Sequence, residues 1–191
     1  MRETLTTDRL VLRQPKLSDA PIMAKLLNEK EIVRMTASLP YPFLSLSAEF
    51  WVLRQQADWQ RGISHDYIIT DDGTNMIGVM GLFENKVGDK EIGYWIGKPY
   101  WGKGYITEAA KVLIAETFKA FPLPYVDAGY YADNPASGRV LEKLGFVSKN
   151  ETSNLYSIGR GARAKGIELR LHRKTAMNMH EQGKEQKQVN S

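Results

Sequence analysis

Two glycines one residue apart, Gly102 and Gly104, sit in Pro99-Tyr100-Trp101-Gly102-Lys103-Gly104-Tyr105. A strand-like run, Glu91-Ile92-Gly93-Tyr94-Trp95-Ile96, precedes this segment, and an apolar run with helical spacing follows it to about Phe121. Glycines at a strand-to-helix junction leave backbone N–H groups open beside the positive end of a helix, which makes an anion site. The ligand is expected to carry phosphate. A nucleotide P-loop is one reading, since Gly97-Lys-Pro-Tyr-Trp-Gly102-Lys103 follows its spacing, but Gly104 stands where the magnesium-binding hydroxyl belongs. A dinucleotide fingerprint is a second, but no third glycine follows Gly104 at the required place.

A second chemical segment lies downstream. In Asp133-Asn134-Pro135-Ala136-Ser137-Gly138, Asn134 can cap a helix whose first position is Pro135, and Ser137 places a hydroxyl in that helix's first turn. Gly145 closes the helix and Phe146 resumes extended chain. Carboxylates at Glu84 and Glu91 stand at strand ends, where each is either a surface charge or a proton acceptor.

These residues must be positioned by a chain of 191 residues, long enough for one domain with a sizeable core. Arg9 to Gln14, His65 to Thr70, Met76 to Phe83, Glu91 to Ile96 and Tyr125 to Tyr131 read as strands. So do Leu155 to Ile158 and Ile167 to Leu171, with Gly159 to Gly166 as an exposed loop between them. Ser18 or Asp19 is expected to cap a helix through Leu27, and Leu39 to Phe43 is a proline-stiffened connection. Ser47 leads into a helix over Glu49 to Arg61, with Phe50, Leu53 and Ala57 on one face and Gly62 as its stop. Ile106, Ala109, Leu113 and Thr117 form the stripe of the helix after the glycine turn, with Ala110 and Ile114 beside it. Residues 1–174 are expected to form a single domain, and the polar, unpatterned residues 175–191 a disordered basic tail.

Composition excludes several chemistries. There is no cysteine, hence no disulfide, thiolate nucleophile or cysteine metal site. The three histidines, His65, His172 and His180, are scattered, so no metal is expected. The formal net charge is +4, and the last nineteen residues hold four Lys/Arg against two Glu, so half of the excess lies in the tail. Specific nucleic-acid binding is therefore not expected. No apolar run spans a membrane and no signal-peptide pattern is seen, so the expected location is cytoplasmic.

Taken together, Glu91-Ile-Gly-Tyr94-Trp95, Tyr100-Trp-Gly-Lys-Gly104-Tyr105-Ile-Thr-Glu-Ala109, Asp133 to Phe146 and the opening Thr7-Asp-Arg9-Leu-Val-Leu-Arg13 resemble the GCN5-related N-acetyltransferase superfamily. The likeness is strongest to the branch holding ribosomal-protein N-terminal acetyltransferases, and it covers roughly residues 7 to 172. It implies an α/β (α+β) fold: a mixed, mostly antiparallel sheet flanked by helices, with a V-shaped splay between its fourth and fifth strands. Those strands match Glu91 to Ile96 and Tyr125 to Tyr131. It implies acetyl-CoA as cosubstrate, no metal, and a primary amine as acceptor, either a protein N-terminus or a small molecule. A monomer or homodimer is expected.

Residue by residue, the resemblance places the cofactor's pyrophosphate on Trp101, Gly102, Lys103, Gly104, Tyr105 and Ile106, with Thr107 near the phosphates. Trp101 and Ile106 depart from the commoner residues there, but the chemistry of the loop is that of its backbone. Asn134 matches a contact to the pantetheine arm, and Ser137 a small residue facing the cofactor thiol, which in some members is the proton donor. The tyrosine used elsewhere in the superfamily is replaced by Leu141, so Ser137, water or a tyrosine from another element must serve. A strand N–H near Ile96 would bind the developing oxyanion, and Glu91 is a candidate base, with Glu84 as the alternative. Arg139 and Lys143 fit either the adenosine end or a solvated helix face. Tyr41, Phe43, Trp51 and Trp59 fall where the acceptor end is shaped, or serve as core. Of Tyr94 and Trp95, one faces core and the other cleft.

Overall fold

The computed structural model describes residues 1–179. Eight strands, β1 (Thr4–Thr6), β2 (Val11–Arg13), β3 (His65–Thr70), β4 (Met76–Glu84), β5 (Lys90–Ile96), β6 (Tyr125–Tyr131), β7 (Val147–Ser157) and β8 (Ala162–His172), form one sheet in the order β1-β2-β3-β4-β5-β6-β8-β7. Every neighbouring pair is antiparallel except β5 and β6. Those two run parallel and share a single register pair, Glu91 opposite Asp127. Beyond it β5 continues to Ile96 and β6 to Tyr131 without pairing, which is the expected splay.

Helices α1 (Ala20–Leu27), α2 (Lys30–Val33), α3 (Ser45–Arg61), α4 (Tyr105–Ala120) and α5 (Pro135–Lys143) cover the sheet. Strand alternation sorts β5 between two cores. Ile92, Tyr94 and Ile96 join the cluster that holds Leu113, Phe118 and Leu141 of α4 and α5. Trp95 packs against the other cluster, with Met23, Leu27, Val33 and Ala48 of α1, α2 and α3. The stripe Ile106, Ala109, Ala110, Leu113, Ile114 and Thr117 is buried throughout, as its spacing predicts. A side chain the size of Leu113 contributes about 1.5–3 kcal/mol on leaving water, so this stripe is what docks α4.

Several expectations are corrected. α3 starts two residues before Ser47, and its buried positions are Ala48 and Val52. Phe50 and Leu53, expected on the core face, are 64% and 49% exposed, and Ala57 is exposed as well. Asp19 is the N-cap residue of α1, but its side chain makes no capping hydrogen bond. Its carboxylate instead accepts the Lys16 N–H at 2.8 Å and both terminal nitrogens of Arg13, at 2.9 and 2.7 Å. Trp59 is core, edge-on to His65 and Tyr67 at 4.9 Å each.

The expected loop from Gly159 to Gly166 is mostly strand. β7 and β8 are eleven residues each, and only residues 158–161 turn between them. The turn is held by the segment after α2. Ile158 N–H donates to Ala37 C=O at 3.0 Å, the Ser157 hydroxyl donates to Thr36 C=O at 2.7 Å, and Arg160 forks onto Asp133 at 2.7 and 2.8 Å. β1 and α2 carry too short a pattern to be read from sequence. Residues 173–179 are helical, so the segment expected to be a disordered tail begins in a helix; residues 180–191 lie outside the described residues. No helix of the described residues is long and apolar enough to cross a membrane.

Candidate active site

The splay leaves half of β5's backbone facing an open wedge. Gly97 N–H donates to Ile77 C=O at 2.9 Å, next to the facing pair Gly78 and Ile96. In an antiparallel ladder that makes Gly78 and Ile96 a non-hydrogen-bonded pair, so the N–H and C=O of Ile96 point away from β4 towards β6. By alternation Tyr94 does the same. Ile96 is thus placed as expected, with its N–H turned into the wedge between β5 and β6. The close approach of β4 here depends on Gly78, where a Cβ would lie 2.5 Å from Trp95 C=O.

A short turn, Lys98–Tyr100, carries the chain from β5 to the glycine loop. Gly102 and Gly104 have φ of 74° and 77°, a left-handed backbone that side-chain-bearing residues avoid, and Gly104 is the N-cap of α4. Residues 101–104 are exposed. The first N–H groups of α4, at Tyr105, Ile106 and Thr107, therefore open beside the wedge with no preceding turn to accept them. Ile106 is only 7% exposed, so its side chain is core and its contribution to an anion site is its N–H. Trp101 folds back onto β5, its indole N–H donating to Ile96 C=O at 2.8 Å. Lys103 is exposed, its ammonium 5.6 Å from the centre of the Tyr100 ring.

The other wall of the wedge is the start of α5. Asn134 caps it, its side-chain oxygen accepting the Ser137 N–H at 3.3 Å. Gly138 lets the helix lie on β6, since a Cβ there would stand 2.8 Å from the Tyr130 ring. The Ser137 hydroxyl shares a hydrogen bond of 2.8 Å with the Tyr94 phenol. Leu141 is buried core, 1% exposed. The tyrosine that approaches Ser137 therefore comes from β5 and not from the helix. Burial pushes the Tyr94 phenol up to about 12, against the pull of the Ser137 hydrogen bond, so it stays protonated at neutral pH.

The opposite face of β5 carries Glu91, which alternation places away from Tyr94 and Ser137. The structure does not bring Glu91 and Ser137 together; they flank the same strand from two sides. Burial, then the charge of Glu168, pushes the Glu91 carboxyl up to about 7, partly offset by a hydrogen bond from Asn85. Its neighbour Asp127 is held below the usual range: burial acts against this, but Arg170 at 2.7 and 2.8 Å and Lys149 at 3.2 Å outweigh it. Glu84 is 57% exposed and pairs with Lys90 at 3.5 Å, a surface ion pair with no place in the wedge.

Sequence reasoning left open which of Tyr94 and Trp95 faces the cleft, and the structure sets Tyr94 against Ser137; it did not single out Arg9. Arg9 reaches the glycine loop from the chain between β1 and β2, and its partners lie about a hundred residues away. Its signal was the N-terminal motif, read there only as a strand. Among the described residues no group of three or more His, Cys, Asp or Glu side chains is arranged to hold a metal.

A family model described as Acetyltransferase (GNAT) domain matches residues 9–147. The uncharacterized N-acetyltransferase YoaA of Bacillus subtilis (strain 168) is 31% identical over 148 residues, covering 74% of this chain and 81% of that protein. Among solved structures, the RimL ribosomal L7/L12 alpha-N-protein acetyltransferase in complex with coenzyme A superposes with a TM-score of 0.76 at 20% identity, over 89% of this chain and 98% of that one. The microcin C7 self-immunity acetyltransferase MccE, in complex with acetyl-CoA and AMP, superposes at 0.75 with 20% identity, over 87% and 93%. The mixed sheet with its one parallel, splayed pair, the glycine loop at the start of α4 and the matched family pattern agree: the chain belongs to the GNAT acetyltransferase family.

Proposed function

We propose that this chain acetylates a protein N-terminal α-amine, using Ser137 and Tyr94 on the donor side of β5 and Glu91 on the acceptor side. The observation that carries the residue assignment is the Ser137–Tyr94 hydrogen bond across the wedge. Acetyl-CoA, the family's donor, supplies an activated thioester. The loop and strand fit it: N–H groups at the start of α4 suit the pyrophosphate, and the open edge of β5 at Tyr94 suits the amides of the pantetheine arm.

The amine nitrogen bonds to the acyl carbon as the carbon–sulfur bond breaks. Glu91 takes the amine proton, directly or through one water, because a carboxyl near 7 is half ionised at working pH. The Ile96 N–H donates to the carbonyl oxygen as it gains charge, a contact that is strongest in the transition state. Ser137 gives a proton to the leaving thiolate and recovers one from Tyr94, which exchanges with solvent.

The protein-acceptor reading draws on the fold shared with RimL, described by its name as acting on a ribosomal protein. A compact amine is a second reading, favoured by one observation. The β7–β8 turn is pinned to Thr36 and Ala37, which closes one end of the acceptor side. A mass-spectrometric acetylation screen over peptide N-termini and metabolite amines separates the two. Turnover confined to metabolite amines rejects the protein-acceptor reading; acetylation of peptide α-amines supports it.

A further inference from the structure

We propose that Arg9 is a positioning residue for the phosphate end of the donor, a role that rests on the acetyl-CoA reading and extends it. Arg9 lies ahead of β2, and its guanidinium touches both halves of the glycine loop. One terminal nitrogen donates to Lys103 C=O at 3.2 Å. The Nε and the other terminal nitrogen grip one oxygen of Glu108, in the first turn of α4, at 2.7 and 2.6 Å. The Arg9 backbone N–H donates to the other Glu108 oxygen at 3.0 Å, and the guanidinium carbon lies 4.8 Å from the centre of the Tyr105 ring.

Each contact has a consequence for an anion at the loop. Lys103 sits between the two positive-φ glycines. Its carbonyl carries a partial negative charge that would repel phosphate if it turned inward. Arg9 holds that oxygen outward, leaving the N–H groups to face the ligand. Glu108 suits a helix N-terminus electrostatically. Yet a bare carboxylate within one turn of Gly104 competes with, and repels, a pyrophosphate. The arginine fork neutralises it. Arg9 remains half exposed, with its guanidinium 3.7 Å from where a Gly104 Cβ would be, so its charge also reaches the loop's outer surface.

The test is calorimetric titration of the full chain with coenzyme A, for wild type, Arg9→Ala, Arg9→Lys and the double variant Arg9→Ala/Glu108→Gln, with folding checked by circular dichroism. Arg9→Ala is expected to raise Kd by about tenfold or more. The double variant is expected to regain at least about threefold of that loss, since the carboxylate charge that Arg9 no longer neutralises is gone; the Thr7 hydroxyl and the backbone N–H of residue 9 still hold that side chain in either variant. A purely structural brace predicts the reverse, because the second substitution would remove a further anchor. A Kd for Arg9→Ala within about twofold of wild type, or a double variant as weak as the single, overturns the proposal. Should the alanine variant not fold, Arg9→Lys carries the test. It keeps the charge but cannot hold the carbonyl and the carboxylate together, so its Kd rises by about threefold or more, and an unchanged Kd overturns the proposal. Absence of coenzyme A binding by the wild type would instead overturn the acetyl-CoA reading beneath it.

Discussion

The Tyr94 phenol and the Ser137 hydroxyl stand 2.8 Å apart, joining a strand of one half of the sheet to a helix that packs on the other. Forty-three residues separate them in sequence. In the proposed mechanism the two hydroxyls in series form a path along which a proton is replaced after it leaves Ser137. Acting as one unit, they should be non-additive under mutation. Ser137→Ala and Tyr94→Phe are each expected to lower kcat by about tenfold to a hundredfold with near-normal coenzyme A affinity, and the double variant to be no worse than the poorer single one. A double-mutant cycle on kcat checks this; losses that multiply would show that the two act independently.

The glycine loop ranks its own residues. Gly104→Val forces a β-branched side chain into a left-handed backbone at the N-cap of α4. That side chain also crowds the close backbone approach to the phosphates, so coenzyme A should bind about ten- to a hundredfold more weakly. Lys103→Ala removes an exposed charge whose position the backbone does not depend on, and Kd should change by no more than about threefold. Equal losses from the two variants, measured by titration, would contradict a backbone-built site.

The proposed base, Glu91, makes the reaction pH-dependent. The base must be ionised, so kcat/KM should rise as pH increases through about 7 and level off above it. Glu91→Gln should lower the plateau by about a hundredfold and abolish that limb of the profile. Stability runs the other way. The folded-state carboxyl titrates near 7 and the unfolded one near 4.5, so the folded protein holds the extra proton between those values. Stability therefore falls as pH rises from about 4.5 to 7 and is lowest above it. Glu91→Gln should thus raise the melting temperature at pH 8, by the equivalent of about 1–3 kcal/mol, and change it little at pH 4. A profile that keeps its limb in the glutamine variant assigns the base elsewhere.

Gly78 tests the other side of the same strand. A methyl there meets Trp95 C=O at 2.5 Å and Ile96 Cα at 3.0 Å, all backbone, so β4 and β5 must part. Gly78→Ala should cost about 1–3 kcal/mol in chemical denaturation and, by moving Ile96, should lower kcat beyond what reduced folding explains. An alanine variant as stable and active as wild type would show that the Ile96 N–H need not be held where it is.

What could be read from the chain beforehand follows a physical divide. Gly62, Gly104, Gly145 and the Asn134-Pro135 cap act through their own backbone, so their roles were visible locally, and each stands where expected. β3 and β6 were placed to the residue because runs rich in aromatic and β-branched residues are bounded there by turns. α3 has two stripes, one of Phe50 and Leu53 and one of Ala48 and Val52. Size favours the first, but helix packing seats the smaller residues against the sheet. The glycines, alanines and lysine of residues 159–166 have poor strand propensity, and pairing with β7 overrides it from Ala162 onward. The contacts of Arg9, and the choice of Tyr94 over Trp95, are set by partners far along the sequence, which no local pattern encodes.

The single register pair between β5 and β6 has a consequence for exchange with solvent deuterium. Along β5 the amides of Gly93 and Trp95 are locked to β4, whereas those of Tyr94 and Ile96 face the wedge. Free protein should therefore show fast and slow amides alternating residue by residue within one central strand, a pattern otherwise typical of a sheet's outer edge. Filling of the wedge by coenzyme A should slow Tyr94 and Ile96 selectively, so these two protons report on the donor site whatever the acceptor is.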